Sequence, residues 1–137
     1  WARRFTVFLN ATQLKLKGDR QADFSGFIKE SRSWGVTFAR NPLTVMAKWN
    51  WRGEQRNAAL PATYGPNAFN FTAPRTQLDL NLDYQFARRM SLFVNARNVF
   101  DARNVLLRYG SETAAYAKVY QSADYGAQLS AGIKGSF

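Results

Sequence analysis

The sequence predicts an all-β fold: a six-stranded antiparallel meander forming a curved partial segment of a larger transmembrane β-barrel. Three observations lead there. In the stretch 76–101, Leu78, Leu80, Leu82, Tyr84 and Phe86 alternate with Gln77, Asp79, Asn81, Asp83 and Gln85, so one face is apolar and the other wet. The same alternation recurs along the chain. The connections between the alternating runs are long, short, long, short, long. A soluble meander has no reason for that order, whereas a transmembrane barrel has short periplasmic turns and long extracellular loops.

In chain order, Phe5, Val7, Leu9 and Ala11 alternate with Thr6, Phe8, Asn10 and Thr12, giving a first strand from about Arg4. Residues 15–31 hold Gly18, Asp19, Asp23, Ser25 and Gly26 and are expected to form a long loop. Trp34, Val36 and Phe38 alternate with Ser33, Gly35, Thr37 and Ala39 as a second strand. Asn41-Pro42 then makes a turn, because proline cannot donate to a central ladder. Leu43, Val45, Ala47, Trp49 and Trp51 alternate with Thr44, Met46, Lys48, Asn50 and Arg52 as a third. Residues 57–74, with Pro61, Gly65, Pro66 and Pro74, are expected to be a loop. Strands four and five come from 76–87 and 90–97. Leu92, Val94 and Ala96 form the second apolar set, and Ala87-Arg88-Arg89 is the tight connection. A third long connection covers 105–123, with a short helical turn inside 109–119. The last strand alternates Tyr125, Ala127, Leu129, Ala131, Ile133 and Phe137 against Gly126, Gln128, Ser130, Lys134 and Ser136.

The loop rule sets the direction: the first strand runs outward, the sixth inward, and Phe137 ends at the periplasmic rim. Trp34, Trp49, Trp51 and Tyr125 then lie near the outer ends of the apolar face, and Phe5, Phe38, Phe86 and Phe137 near the inner ends. Aromatic girdles of this kind suit the two interfaces of a bilayer. The alternative is a soluble sheet that gathers its aromatics into one core.

Length and composition exclude several functions. The 137 residues fit one domain, and no apolar run approaches the roughly 18 residues of a membrane helix. Trp1-Ala2-Arg3-Arg4 leads directly into strand-like sequence, which is not the pattern of a leader peptide. There is no cysteine and no histidine, so thiolate and imidazole metal sites, His-based catalysis and disulfides are absent. The 19 Lys and Arg against 9 Asp and Glu give a net +10, which raises nucleic acid or anionic lipid as partners. A basic sheet binding single-stranded nucleic acid needs aromatic and basic residues on one face. Here Trp49, Trp51, Leu80 and Tyr84 lie opposite Lys48, Arg52 and Asp83, so no nucleic-acid partner is expected.

Three elements resemble a known family. Asn95-Ala96-Arg97-Asn98-Val99-Phe100-Asp101 resembles the N-x-x-N-L/V-F-D element in the penultimate strand of TonB-dependent outer-membrane receptors. Lys48-Trp49-Asn50-Trp51-Arg52-Gly53 looks like the aromatic-rich strand ending in Arg-Gly that lies two strands earlier. Leu129, Ala131, Ile133 and the final Phe137 are similar to the C-terminal signal read by the barrel-assembly machinery, although Gly135 stands where such signals often carry a bulkier residue. The family's barrel has about 22 strands around a plug. The resemblance therefore implies that residues 1–137 are the C-terminal portion of a receptor barrel, without its plug, in the bacterial outer membrane. It implies uptake of a scarce nutrient such as a metal chelate, a cobalamin-like cofactor or a glycan. The implied partners are outer-membrane lipid, the remaining barrel and plug, the assembly machinery and, through the absent part, a TonB-type energy-coupling protein. A passive porin is the alternative within the membrane class.

The wet face carries the candidate lumen-lining residues Lys48, Arg52, Asp79, Asn81, Asp83, Asn95 and Arg97. Each either contacts substrate or plug, or belongs to a solvated wall with weak cross-strand ion pairs; the second is the preferred reading for any single residue. Asp79 and Asp83 are two carboxylates, but i and i+4 on a strand lie roughly 13 Å apart, too far for either glycosidase geometry. No enzyme activity, cofactor or metal is expected. Asn98 and Asp101 are expected to shape the strand's exit, since Asn and Asp tolerate unusual φ and bond to nearby backbone. Tyr64, Phe69 and Phe71 either touch a ligand outside the cell or pack onto neighbouring segments. Parity puts the large apolar Phe8, Met46 and Phe93 on the wet face, low in the lumen and at similar height. They are candidates to face the plug, or else fill gaps between lumen side chains.

Overall fold

A computed structural model describes residues 4–18 and 25–135. Among these described residues there are eleven strands: β1 (Phe5–Gln13), β2 (Phe27–Ile28), β3 (Glu30–Arg40), β4 (Leu43–Arg52), β5 (Gln55–Ala59), β6 (Phe69–Thr72), β7 (Arg75–Ala87), β8 (Met90–Arg97), β9 (Asn104–Tyr109), β10 (Val119–Ala123) and β11 (Gln128–Gly135). No α-helix occurs among the described residues. The long strands make one six-stranded antiparallel sheet, ordered β1-β3-β4-β7-β8-β11. This is the expected meander. The sheet is open at β1 and β11 and is not closed into a barrel.

The shorter strands make a second antiparallel sheet, ordered β10-β9-β6-β5-β2, where loops are expected from the sequence. Its cause is ladder continuation: β2–β5 prolongs the β3–β4 pairing, β5–β6 prolongs β4–β7, and β6–β9 prolongs β7–β8. The ladder breaks near Ala73-Pro74, because Pro74 has no N–H to donate. It also breaks at Gly53-Glu54 and at 98–103. Single backbone bonds bridge these breaks: Gly53 N–H to Glu30 O and Ala73 N–H to Val105 O, both at 2.9 Å. The expected helical turn within 109–119 is one 3-10 turn at Ala115–Ala117. The last strand starts at Gln128, so Tyr125 lies in the β10–β11 connection instead of at a strand end. Asp19, Asp23, Ser136 and Phe137 lie outside the described residues.

The register sorts the six-stranded sheet into two faces. On the apolar face the middle row is Val7–Val36–Ala47–Leu80–Ala96–Leu129. Toward the second sheet follow Leu9–Trp34–Trp49–Leu78 and then Ala11–Arg32–Trp51–Thr76. Toward the Asn41-Pro42 turn follow Phe5–Phe38–Val45–Leu82–Val94–Ala131 and then Arg40–Leu43–Tyr84–Leu92–Ile133. Trp34 and Trp49 are stacked at 6.5 Å, and Phe5 and Phe38 meet at 5.0 Å. No second layer covers this face: Ala68 and Leu78 are the buried apolar residues among those described. Two sheets packed face to face bury alternate residues of both, and that core is missing. Exposure is highest at the open edges, with Val7 at 75 % and Leu129 at 73 %. Leu78 is buried at 8 %, and Val36, Val45, Ala47, Leu82 and Val94 are half-buried, because large side chains on adjacent strands shield one another laterally.

Two glycines on the other face explain part of its packing. A Cβ at Gly35 would lie 2.5 Å from Phe8 Cε1 and 2.7 Å from the Ala47 carbonyl oxygen. At Gly132 it would meet Phe93 Cε1 and Cζ, both at 2.8 Å. Gly35→Ala is expected to cost about 1–3 kcal/mol, because a backbone atom cannot move aside. Gly132→Ala is expected to cost less, since an aromatic ring can turn. Urea denaturation of both variants checks this, and equal costs would contradict the difference in what each Cβ meets.

Candidate functional site

The polar face of the six-stranded sheet holds all seven candidate lumen-lining residues. Its rows include Phe8–Gly35–Lys48–Asp79, Thr6–Thr37–Met46–Asn81–Asn95–Ser130 and Thr44–Asp83–Phe93–Gly132. Lys48 stands directly opposite Asp79, yet the two form no ion pair. The Asp79 carboxylate instead accepts from Asn50 Nδ2 at 3.2 Å and from the Asn98 N–H at 3.1 Å. Asp83 pairs with Lys134, the ion pair of this wall among the described residues. Arg97 faces Gln128. Arg52 faces Ser31 and Arg75, and its Nε is buried without a hydrogen-bond partner.

Phe8, Met46 and Phe93 point to the same side as Asp79, Asn81 and Asp83. They occupy three successive rows, not one level as the strand positions suggest. Phe8 and Phe93 each lie across a directly opposite glycine, Gly35 and Gly132. Covering a cross-strand glycine with an aromatic ring is a known way for a sheet to fill the missing side chain. Met46 and Phe93 also border an open hollow of about 420 Å³ with Asn81, Asp83, Asn95 and Lys134.

At the upper end of this wall, Asn98 ties three segments together. It sits at φ 54° and Asp101 at φ 50°, in the left-handed region that Asn and Asp tolerate. Asn98 Nδ2 donates to Gly126 O at 3.1 Å, and Asn98 Oδ1 accepts from the Ala102 N–H at 2.9 Å. With its own N–H on Asp79, Asn98 joins β7, the exit of β8 and the β10–β11 connection. The hydrogen bond that the Asp101 carboxyl donates to Asp124 raises the Asp101 pKa above its ordinary value. The Gly126 N–H, which donates to Asp124 Oδ1 at 3.1 Å, and the bond accepted from Asp101 lower the Asp124 pKa from its ordinary value. Arg103 lies 3.6 Å from Asp124.

The second sheet builds an aromatic and cationic cluster. Phe71 stacks on Tyr109 at 4.2 Å and meets Phe69 edge-on at 6.3 Å. The Arg108 guanidinium lies 3.8 Å from the Tyr120 ring centroid and 5.1 Å from that of Tyr64, and its Nε donates to Asn70 Oδ1 at 3.2 Å. Tyr64, Arg108, Tyr109, Thr113 and Tyr120 line a hollow of about 270 Å³. Its chemistry is ring stacking and hydrogen bonding around a fixed cation, which fits a small planar or polyhydroxylated ligand. Phe69 and Phe71 are strand residues packed on neighbours; Tyr64 is half exposed and borders the hollow.

Set against protein-family models, curated proteins and solved structures, the chain matches none of them.

Burial pushes the Tyr109 phenol up to about 12, helped by its hydrogen bond to Glu54 Oε1 at 3.0 Å. The folded state thus favours the neutral phenol. Its contribution to stability is complete below about pH 10 and is lost as pH rises to about 12. Tyrosinate absorbance should show one phenol ionising well after the others. Glu54→Gln should lower that midpoint only in part, since burial remains. A midpoint near 10 in the unaltered chain would contradict the burial.

Tyr64 was singled out in the sequence, but Arg108, Tyr109, Thr113 and Tyr120 were missed because 105–123 reads as a loop. A signal was present: Phe69 and Phe71 alternate with Asn70 and Thr72, and Asn104–Tyr109 is rich in strand formers. Neither run is long enough to call a strand without its partner.

Proposed function

We propose that this chain is part of the strand wall of a bacterial outer-membrane receptor of the TonB-dependent kind, which takes up a scarce nutrient such as a metal chelate, a cobalamin-like cofactor or a glycan. The observation that carries the reading is the apolar face: five in-register rows with no covering layer. Four steps of two residues span about 27 Å along the strands, which at a barrel tilt of roughly 35–45° covers about 19–22 Å of the roughly 25 Å apolar band of such walls. Trp34, Trp49 and Trp51 edge the band on one side, and Phe5 and Phe38 on the other. Among the described residues no helix is long and apolar enough to cross a membrane, so the reading rests on strands.

Short turns at Asn41-Pro42 and Arg88-Arg89 suit the periplasmic side, and the second sheet suits the outside, where receptors carry long loops. In that orientation the Tyr64–Arg108–Tyr120 hollow is open to incoming ligand, and the polar face lines the lumen. The β1 and β11 edges await neighbouring strands of a larger barrel. Leu129, Ala131 and Ile133 alternate on the apolar side of β11, as an assembly signal requires.

Tryptophan quenching tests the reading. The chain, in a Trp1→Phe background, is refolded into vesicles whose acyl chains carry bromine at defined depths. Quenching should be strongest for shallow bromines. Quenching by aqueous iodide alone would refute the bilayer reading.

One observation favours a second reading: the second sheet places Arg56 over Phe69 at 4.3 Å and Arg108 over Tyr120, mixing cations with rings as a single-stranded nucleic-acid platform does. These cations already cover the rings, leaving little bare stacking surface. Sub-micromolar, salt-dependent binding of single-stranded DNA would favour that reading instead.

A further inference from the structure

Two arginines face each other on the polar face, at the end next to the second sheet. Arg52 on β4 and Arg75 on β7 stand directly opposite in the ladder. Opposed side chains of an antiparallel pair start from Cβ atoms roughly 4.5–5.5 Å apart, and like charges so placed repel. Both residues are half-buried, and neither has a carboxylate partner among the described residues. The acids closest along these strands are engaged elsewhere. Glu30 takes Gln13 and Arg32, Glu54 takes the Tyr109 hydroxyl, and Asp79 takes Asn50 and the Asn98 N–H. Arg75 Nη1 reaches Asn104 Oδ1 at 3.5 Å. Arg52 has no side-chain hydrogen-bond partner among the described residues, and its Nε is buried. A buried donor without a partner, beside a like charge, is costly for the fold alone and is satisfied by a bound anion. The row of Arg52 continues through Ser31 to Thr12, and the next row is Asn10–Ser33–Asn50–Gln77. A hollow of about 380 Å³ lies over both, lined by Arg52 with Asn10, Thr12, Ser31, Ser33 and Asn50. Arg32 also borders it but is paired with Glu30.

We infer that this site binds a phosphorylated sugar, with the phosphate between Arg52 and Arg75 and the sugar over the hydroxyl and amide rows. Charge selects the phosphate. A phosphate monoester carries about −1.5 to −2 at pH 7, so one group balances both guanidiniums, which a singly charged carboxylate or sulfate ester does not. The guanidinium fork matches phosphate oxygens, and hydrogen bonds to a charged acceptor are the strong ones. The neighbouring side chains select the rest of the ligand. The hydroxyls of Thr12, Ser31 and Ser33 and the amides of Asn10 and Asn50 both donate and accept, as the hydroxyls of a sugar ring do. An apolar ligand would leave them without partners. Lipid seated on the apolar face cannot reach these side chains, which stand on the other side of the sheet. The site itself follows from the register of β1, β3, β4 and β7; the inference rests on the receptor reading only in making the phosphosugar the cargo.

The test is isothermal titration calorimetry on the chain in non-ionic detergent micelles, with glucose 6-phosphate, glucose 6-sulfate, glucose and inorganic phosphate as ligands. Glucose 6-phosphate should bind at least about tenfold more tightly than any of the other three. Its affinity should fall as ionic strength rises. Arg52→Gln should weaken it at least about tenfold. Without ligand, the same variant should melt no lower than the unaltered chain, because no hydrogen bond of Arg52 is lost and its repulsion of Arg75 disappears. A lower melting temperature with unchanged binding would make Arg52 a structural residue and overturn the proposal. If the variant loses its strand signal in far-UV circular dichroism, Arg75→Gln decides by the same tenfold criterion. Equal binding of glucose 6-sulfate would overturn the charge argument, and equal binding of inorganic phosphate would overturn the sugar. Displacement by phosphatidic acid at matching concentration would assign the site to a lipid headgroup and overturn the proposal. Failure of the bilayer reading would appear in the tryptophan quenching and not in these titrations.

Discussion

Leu80→Arg should destabilise the chain by about 2–4 kcal/mol when it is refolded into phospholipid vesicles. Leu80 occupies the middle of the five apolar rows, between Ala47 and Ala96. In the proposed orientation that row lies nearest the bilayer midplane, where a guanidinium reaches neither headgroups nor water without distorting the lipid. Asn81→Arg is the control. It sits one residue along the same strand on the polar face, between Met46 and Asn95, and should change stability by less than about 0.5 kcal/mol. The same pair measured in water-soluble conditions should differ little, because Leu80 is already partly exposed. Urea titrations followed by strand signal give all four values. A cost at Leu80 that is the same with and without lipid would show that the apolar face meets something other than a bilayer.

Asn98→Ala should cost about 2–5 kcal/mol, from two separable sources. Placing alanine at φ 54° costs about 1–2 kcal/mol, because its Cβ crowds the backbone in the left-handed region. Losing the bonds to Gly126 O and Ala102 N–H costs about 0.5–1.5 kcal/mol each. Asn98→Gly separates the two, since glycine accepts the backbone conformation but makes neither side-chain bond, and it should cost about 1–3 kcal/mol. Asn98→Asp keeps the acceptor for Ala102 and the tolerance for positive φ but loses the donor to Gly126. It also adds a charge near Asp79, so it should fall between the other two. Thermal unfolding of the three variants checks the order. Equal costs for alanine and glycine would mean that the backbone conformation carries no strain. A further expected sign is loosening at a distance: without the bond to Gly126, amide exchange should quicken in the β10–β11 connection.

Alternation was enough to locate the six long strands, the two tight turns and the membership of each face. A strand's side-chain period is local: each residue's side follows from its neighbour's, and Val7, Val36, Ala47, Leu80 and Leu129 can be assigned without knowing which strands meet. The left-handed backbone at Asn98 and Asp101 was equally legible, because it depends on what those two side chains tolerate. Pairing is not local, and everything that depends on a partner came from the tertiary structure. Four-residue β6 and two-residue β2 exist because long strands beneath them hold their partners in line, and alone neither repays the entropy of ordering. Register decides that Phe8 meets Gly35 and Phe93 meets Gly132, which turns two apparent errors of alternation into filled gaps. Geometry decides that Asp79 bonds Asn50 and Asn98 although Lys48 stands opposite, because a carboxylate that fixes a strand's exit with two hydrogen bonds gains more than one in a half-exposed ion pair.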